Sequence, residues 1–207
     1  SPSRGLGDVY KRQGVGSKDK KENIIKNLKI VKRKISKKSK SIFLVSQIHG
    51  DKFLFLSKNS NIKSRSVSAD AIITEKKNSP IAILTADCVP LLIYDEKRKI
   101  IAAIHAGWRG AYKGIVQKVI KFMISKGCTI DAMTVAIGPA ISKKNYEVKE
   151  KFKSKFIKKD KKNIKFFKNK KDKIYFDLPN YIKKQVILNQ IKNINLLNID
   201  TFNEKNN

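Results

Sequence analysis

The sequence predicts an α+β fold: a single domain with a mixed or mostly antiparallel β-sheet core and flanking helices. Short apolar runs rich in Ile, Leu and Val outnumber the helical stretches, and they arrive one after another. Regular strand–helix alternation, the mark of a parallel α/β sheet, is missing. The 207 residues, 41% of them apolar, are enough for one core and require no second. No internal repeat and no interior linker divides the chain.

Residues 1–13 are set aside first. Asp8-Val9-Tyr10-Lys11-Arg12-Gln13 matches the translation of a common sequencing adapter, so this stretch is expected to be an assembly scar. Residues 14–207 are then the domain, expected to be incomplete at both ends. From Asp19 to Ile35, Ile24, Ile25, Leu28, Val31 and Ile35 recur at helical steps, which predicts an amphipathic helix with a lysine-rich outer face. Ser41–Ile48 reads as a strand ending at His49-Gly50, and Ser57–Ser68 as a polar loop. Ala69–Thr74, Pro80–Ala86 and Pro90–Tyr94 are too short for independent helices and read as buried strands. After a turn at Asp95–Arg98, the apolar run from Ile100 leads to His105, and Tyr112–Lys126 reads as a helix stopped by Gly127. Ala132–Ile137 is another buried strand, Tyr146–Ile157 an exposed helix, and the lysine-dense Lys158–Lys173 a mobile loop. Ile174–Phe176 is a short strand. Leu178-Pro179 opens a helix to about Lys192, and Ile194–Ile199 is a last strand.

The net charge of +30 invites a nucleic-acid partner. Only six of the 47 basic residues are arginine, however, and the lysines are spread along the chain without interleaved aromatics, as on solvated faces. The asparagine- and isoleucine-rich composition is the bias of an AT-rich genome. Non-specific polyanion binding is expected, and a lysine-rich polyanion-binding module is kept as a third reading. No apolar run reaches the length of a membrane span and no leader pattern is seen, so a soluble cytoplasmic protein is expected. Cys88 and Cys128, a lone pair in such a chain, read as reduced thiols.

The chain holds two histidines, and both close apolar runs beside glycines. Cys88 lies in Thr85-Ala86-Asp87-Cys88-Val89-Pro90, where Pro90 removes a backbone donor and a break in the ladder is expected. His49, Cys88 and His105 thus all fall at run ends. One cysteine and two histidines suit zinc with an open fourth position. Their wide separation in sequence excludes a finger-type knuckle and fits a site assembled by the fold. Alternatively, Cys88 and His105 could be nucleophile and base of a cysteine hydrolase, or a buried thiol with two satisfied histidines. Copper is a poorer fit, because a multicopper cluster needs more ligands than this chain has.

Arg109 follows the lone Trp108 in a turn bounded by Gly107 and Gly110, with Gly114 further on. This turn is expected to contact phosphate or a nucleoside; otherwise the glycines serve close packing and Arg109 pairs with a carboxylate. Gln47 is a further candidate substrate contact. Asp87 is either a turn acceptor or a proton-transfer group, and Cys128 reads as structural.

Gln47-Ile48-His49-Gly50, Ala69–Thr74, Thr85–Pro90, His105-Ala106-Gly107-Trp108-Arg109-Gly110 and Ile137–Ile141 occur in an order that closely resembles the laccase-domain family, also named multicopper polyphenol oxidase-like, of purine nucleoside phosphorylases. Tyr146-Glu147-Val148 and Phe176-Asp177-Leu178-Pro179 match later blocks of that family, and the likeness runs from about Gly14 to Thr201. The resemblance implies one α+β domain holding zinc through His49, Cys88 and His105. It also implies phosphorolysis of adenosine, inosine and methylthioadenosine to base and ribose 1-phosphate, together with adenosine deamination. The implied partners are purine nucleosides and phosphate. Some relatives are described as editing peptidoglycan precursors, the substrate class left to the hydrolase alternative. This chain departs from the family in lacking the arginine- and glycine-containing N-terminal loop and in carrying Asp200 where relatives often have cysteine.

Overall fold

The run from Ile100 becomes the central strand of a six-stranded sheet. The computed structural model describes residues 20–35, 39 and 41–202, so the adapter-like segment lies outside the described residues. The strands of the sheet are β1 (Phe53–Leu56), β2 (Ala71–Thr74), β3 (Val89–Asp95), β4 (Ile100–Ala106), β5 (Met133–Ile137) and, late in the chain, β9 (Asn193–Leu196). Their order is β1-β2-β4-β3-β5-β9; the two outer pairs are parallel and the three inner pairs antiparallel. The α+β class and the mixed sheet are as the sequence predicts.

Burial follows from this order. Five consecutive residues of β4, Ala102–Ala106, are buried because strands flank it on both sides and both faces are covered near its end. One face carries Leu91, Ile93, Ile100, Ile104, Val135 and Ile137 into the main core. There they meet α3 (Ile115–Ser125) and α5 (Leu178–Leu188), whose buried stripes include Val116, Val119, Ile120, Ile182 and Val186. The opposite face buries Ile72 with Val45, Leu56 and Ala69 in a smaller core. A three-stranded sheet, β6 (Glu147–Val148), β8 (Lys173–Phe176) and β7 (Phe167–Lys170), flanks the main core with α4 (Glu150–Lys159). The helix at the start is α1, Lys21–Ile35.

Several sequence readings are corrected. The expected Tyr112–Lys126 helix is two helices, α2 (Trp108–Lys113) and α3, broken at Gly114, whose φ of 85° suits glycine. Ser41–Ile48 and Pro80–Ala86 are not strands; each is an extended segment with isolated bridges, Phe43 to Ile81 and Ser46 to Ser68. Beyond the Phe43 bridge they are joined by a side chain. The Gln47 amide donates to the Leu84 carbonyl and accepts from the Leu84 N–H, both at 2.7 Å, standing in for a peptide group of a ladder. β1, within a stretch given no element, pairs in parallel with β2. Within the expected Tyr146–Ile157 helix, Glu147–Val148 is strand before α4 begins. The expected loop Lys158–Lys173 contains a 3₁₀ helix, Lys161–Phe166, and β7, because Phe166 and Phe167 anchor it in the core and buried Asn163 donates to the Phe156 carbonyl. Pro90 does not interrupt β3: as its second residue it pairs with His105.

Candidate metal centre

His49 sits in the turn after the Ser41–Ile48 segment with φ of 56°, a left-handed conformation rare for a residue with a Cβ. What holds it there is Asp70, fully buried just before β2. Its Oδ1 accepts the His49 N–H at 2.9 Å, and its Oδ2 accepts the Gly50 N–H at 2.6 Å and the Ile48 N–H at 3.4 Å. Successive backbone N–H groups wrapped around a carboxylate are a fitting anion seat. The same Oδ1 lies 2.9 Å from Nδ1 of His105, and the His105 N–H donates to the Asp70 carbonyl. Engaging Nδ1 leaves Nε2 of His105 for a metal, a carboxylate–histidine pairing common behind metal ligands.

Cys88 precedes β3, and the register Val89 to Ala106 sets it opposite Gly107. A Cβ on Gly107 would lie 2.9 Å from the Cys88 sulfur, and one on Gly110 would lie 2.4 Å from the Gly50 carbonyl oxygen. The first turn of α2 is thus pressed between the Cys88 and His49 segments. The result is one cluster: the ligand atoms of His49, Cys88 and His105 all lie within 4.8 Å of one another. The histidine rings meet edge to face, 4.7 Å apart. His105 is buried, Cys88 partly exposed and His49 exposed, so the cluster opens on one side.

The electrostatics follow from the geometry. Burial opposes a charge on His105, but the hydrogen bonds to Asp70 and Cys88 and their negative charges outweigh it, raising its pKa to about 9. Asp70 is likewise opposed by burial, yet His105 and the turn N–H groups hold its carboxyl below the ordinary range. Tyr146 is pushed up to about 12 by burial, with the charges of Cys88 and Asp87 adding to it.

The other sequence candidates fall outside the trio. Asp87 accepts a hydrogen bond from the Thr201 hydroxyl at 3.1 Å, and its carbonyl accepts the Ile141 N–H. Gln47 is engaged with Leu84. Gly107 and Gly110 are buried, and the close approach they permit is to Cys88 and Gly50, not to open space for a ligand. Arg109 is exposed, with its guanidinium 5.4 Å from the Trp108 ring. Cys128 is buried, and burial together with Asp95 raises its thiol to about 11, which suits a structural thiol. Asp70 was not singled out as a site residue in the sequence reading; its signal is a lone carboxylate opening an apolar strand.

A surface cavity of about 820 Å³ lies beside the C-terminal segment, lined by Ser142, Asn145, Asn180, Ile199 and Asp200 among others. It contains none of the trio, so its size does not mark the chemistry. Asp200 there accepts hydrogen bonds from Ser142, Asn145 and the Phe202 N–H, fastening the chain end to the 142–145 turn.

The sequence profile described as multi-copper polyphenol oxidoreductase laccase matches residues 10–207. The chain belongs to this family. A purine nucleoside phosphorylase of Rickettsia prowazekii is 34% identical over 170 residues, covering 80% of this chain and 68% of the relative. A Rickettsia conorii protein of the same description is 34% identical over 190 residues, covering 88% and 77%. The crystal structure of the hypothetical protein YfiH of Bacillus licheniformis has the same fold, with a TM-score of 0.82 at 23% identity, covering 91% of this chain and 75% of that one. A Neisseria meningitidis structure aligns with a TM-score of 0.81 at 24% identity, covering 93% and 76%. Among the described residues of this family member, no helix is long and apolar enough to cross a membrane.

Proposed function

We propose that the protein is a zinc-dependent purine nucleoside phosphorylase, converting adenosine, inosine or methylthioadenosine and phosphate to base and ribose 1-phosphate, with adenosine deamination at the same centre. The observation that carries this is the convergence of His49, Cys88 and His105 with buried Asp70 behind His105. The names of the Rickettsia relatives support the substrate class. The donor set fits a single zinc ion with one position open. It does not fit the copper cluster of the family's description, since the whole chain has two histidines. A zinc ion bound there supplies a Lewis acid and lowers the pKa of water. The chain's own residues do the rest. Asp70 fixes the tautomer of His105 and the turn of His49, Gly107 leaves room for the sulfur, and Arg109 offers positive charge to phosphate from the edge of the site.

One observation favours a second reading. The Cys88 thiol lies within 4.8 Å of a His105 ring nitrogen, and Asp70 stands 2.9 Å behind that ring, the order of groups a cysteine hydrolase uses. Metal content of the protein and of Cys88→Ser, assayed with adenosine, inosine and phosphate, separates the two. Near-stoichiometric zinc lost with Cys88, and phosphate-dependent ribose 1-phosphate, is the expected result. A metal-free protein whose Cys88 is alkylated rapidly at neutral pH would establish the hydrolase instead.

A further inference from the structure

The aromatic group beside the trio has an unused polar end. Tyr146 is fixed by backbone on both sides: its N–H donates to the Ser142 carbonyl at 3.0 Å, and its carbonyl accepts the Phe176 N–H at 3.0 Å. Its ring packs edge-on against Phe152 and Phe176, with centroids 6.3 and 6.0 Å away. Phe152 in turn meets Trp108 at 5.1 Å, and Trp108 follows the glycine that touches the Cys88 sulfur. The 138–141 segment runs beside Asp87–Pro90, through Gly138 N–H to the Pro90 carbonyl and Ile141 N–H to the Asp87 carbonyl. Tyr146 therefore returns along the flank of Cys88, close enough for the negative charges of Cys88 and Asp87 to act on its hydroxyl. That hydroxyl hydrogen-bonds to no other described residue, although the residue is half-buried. A tyrosine clamped at its ring with its O–H unspent beside a metal site is held for something that arrives from solution.

We propose that Tyr146 contacts the purine base of the substrate and donates a hydrogen bond to the ring nitrogen that gathers charge as the glycosidic bond breaks. This rests on the phosphorylase reading. The aromatic surroundings suit a flat heterocycle, while the exposed guanidinium of Arg109 offers the phosphate a cation. In the reaction a phosphate oxygen bonds to C1′ as the C1′–N9 bond breaks, and that bond's electron pair passes into the purine. The proton carried by hydrogenphosphate ends on the departing base, and Tyr146 keeps its own. A donor aimed at charge that develops in the transition state contributes most when the leaving group is poor.

The test compares Tyr146→Phe with the wild-type holoenzyme on inosine and on 7-methylguanosine, whose base leaves without needing such help. We expect kcat/KM for inosine to fall about 10²-fold and that for 7-methylguanosine by less than about threefold, with metal content unchanged. Calorimetric binding of hypoxanthine to the metal-stripped protein weakens about tenfold, the worth of one hydrogen bond. Equal losses on both substrates would mean that the ring merely packs and would overturn the inference, as would an unaffected variant. A metal-loaded wild-type protein inactive on both substrates overturns the phosphorylase reading itself, and this inference with it.

Discussion

Replacing Asp70 by Asn tests the logic of the site with a change of one atom. The carboxylate is fully buried and faces only donors: the N–H groups of His49, Gly50 and Ile48, and Nδ1 of His105. An amide has one oxygen. If that oxygen stays with His49 and His105, an NH2 group confronts the Gly50 N–H across 2.6 Å. If the amide flips, the NH2 faces His105, which can accept only by moving its proton to Nε2, the metal-facing nitrogen. Either way one charge-assisted bond is lost and one donor is left buried, a cost of about 2–3 kcal/mol. For a chain of this length that corresponds to a fall in Tm of about 4–12 °C in the metal-free protein. The flipped arrangement also opposes metal binding directly, and loss of such a carboxylate partner typically weakens affinity about 10- to 100-fold. Thermal melting by circular dichroism and a competitive zinc titration measure the two effects. A variant melting within a degree of wild type and binding zinc within twofold would refute the assignment of Asp70 as the organiser of the centre.

Gly110→Ala should be destabilising by about 1–3 kcal/mol and should weaken metal binding, because its Cβ would meet the Gly50 carbonyl at 2.4 Å and push the His49 turn; urea unfolding and metal titration read both. In the metal-free protein the folded pKa of His105, about 9, lies above its unfolded value near 6.5. Its contribution to stability is then fully present below about pH 6.5 and is lost as the pH rises through about 9, and urea midpoints of wild type and His105→Gln should converge across that window. With its thiol raised to about 11 and buried, Cys128 should resist a thiol reagent at pH 8 in the folded protein, so titration finds one reactive thiol; Cys88→Ser should remove it, and denaturant should expose Cys128.

The legible parts of the sequence were those where side-chain pattern and backbone pairing coincide. Ala69–Thr74, Pro90–Tyr94, the run from Ile100 and Ala132–Ile137 are apolar because strands flank them, and all four are sheet strands. The same apolar signal misled at Ser41–Ile48 and Pro80–Ala86, where the side chains are packed but no continuous ladder forms. β1 was hidden by its shortness, and the Lys161–Lys170 region by its lysines, although its two phenylalanines reported an anchored segment. In the centre, polar residues at the ends of apolar runs marked His49, Cys88 and His105. Asp70 was missed because its partners are backbone N–H groups contributed by a turn twenty residues away, and no local pattern encodes them.

The double hydrogen bond from Gln47 to Leu84 joins two stretches of chain that each lead to a metal ligand: Gln47 lies two residues before His49, and Leu84 four before Cys88. A peptide ladder would lock those stretches at one separation, whereas a glutamine side chain pivots about its own torsions. The mouth of the centre is thus fastened by a side-chain latch, not by a ladder, on a rigid socket. His105 and Asp70 stay seated in the sheet, and Asp70 ties the His49 turn to that socket through three N–H groups, so parting the two stretches would break those bonds as well as the Gln47 pair.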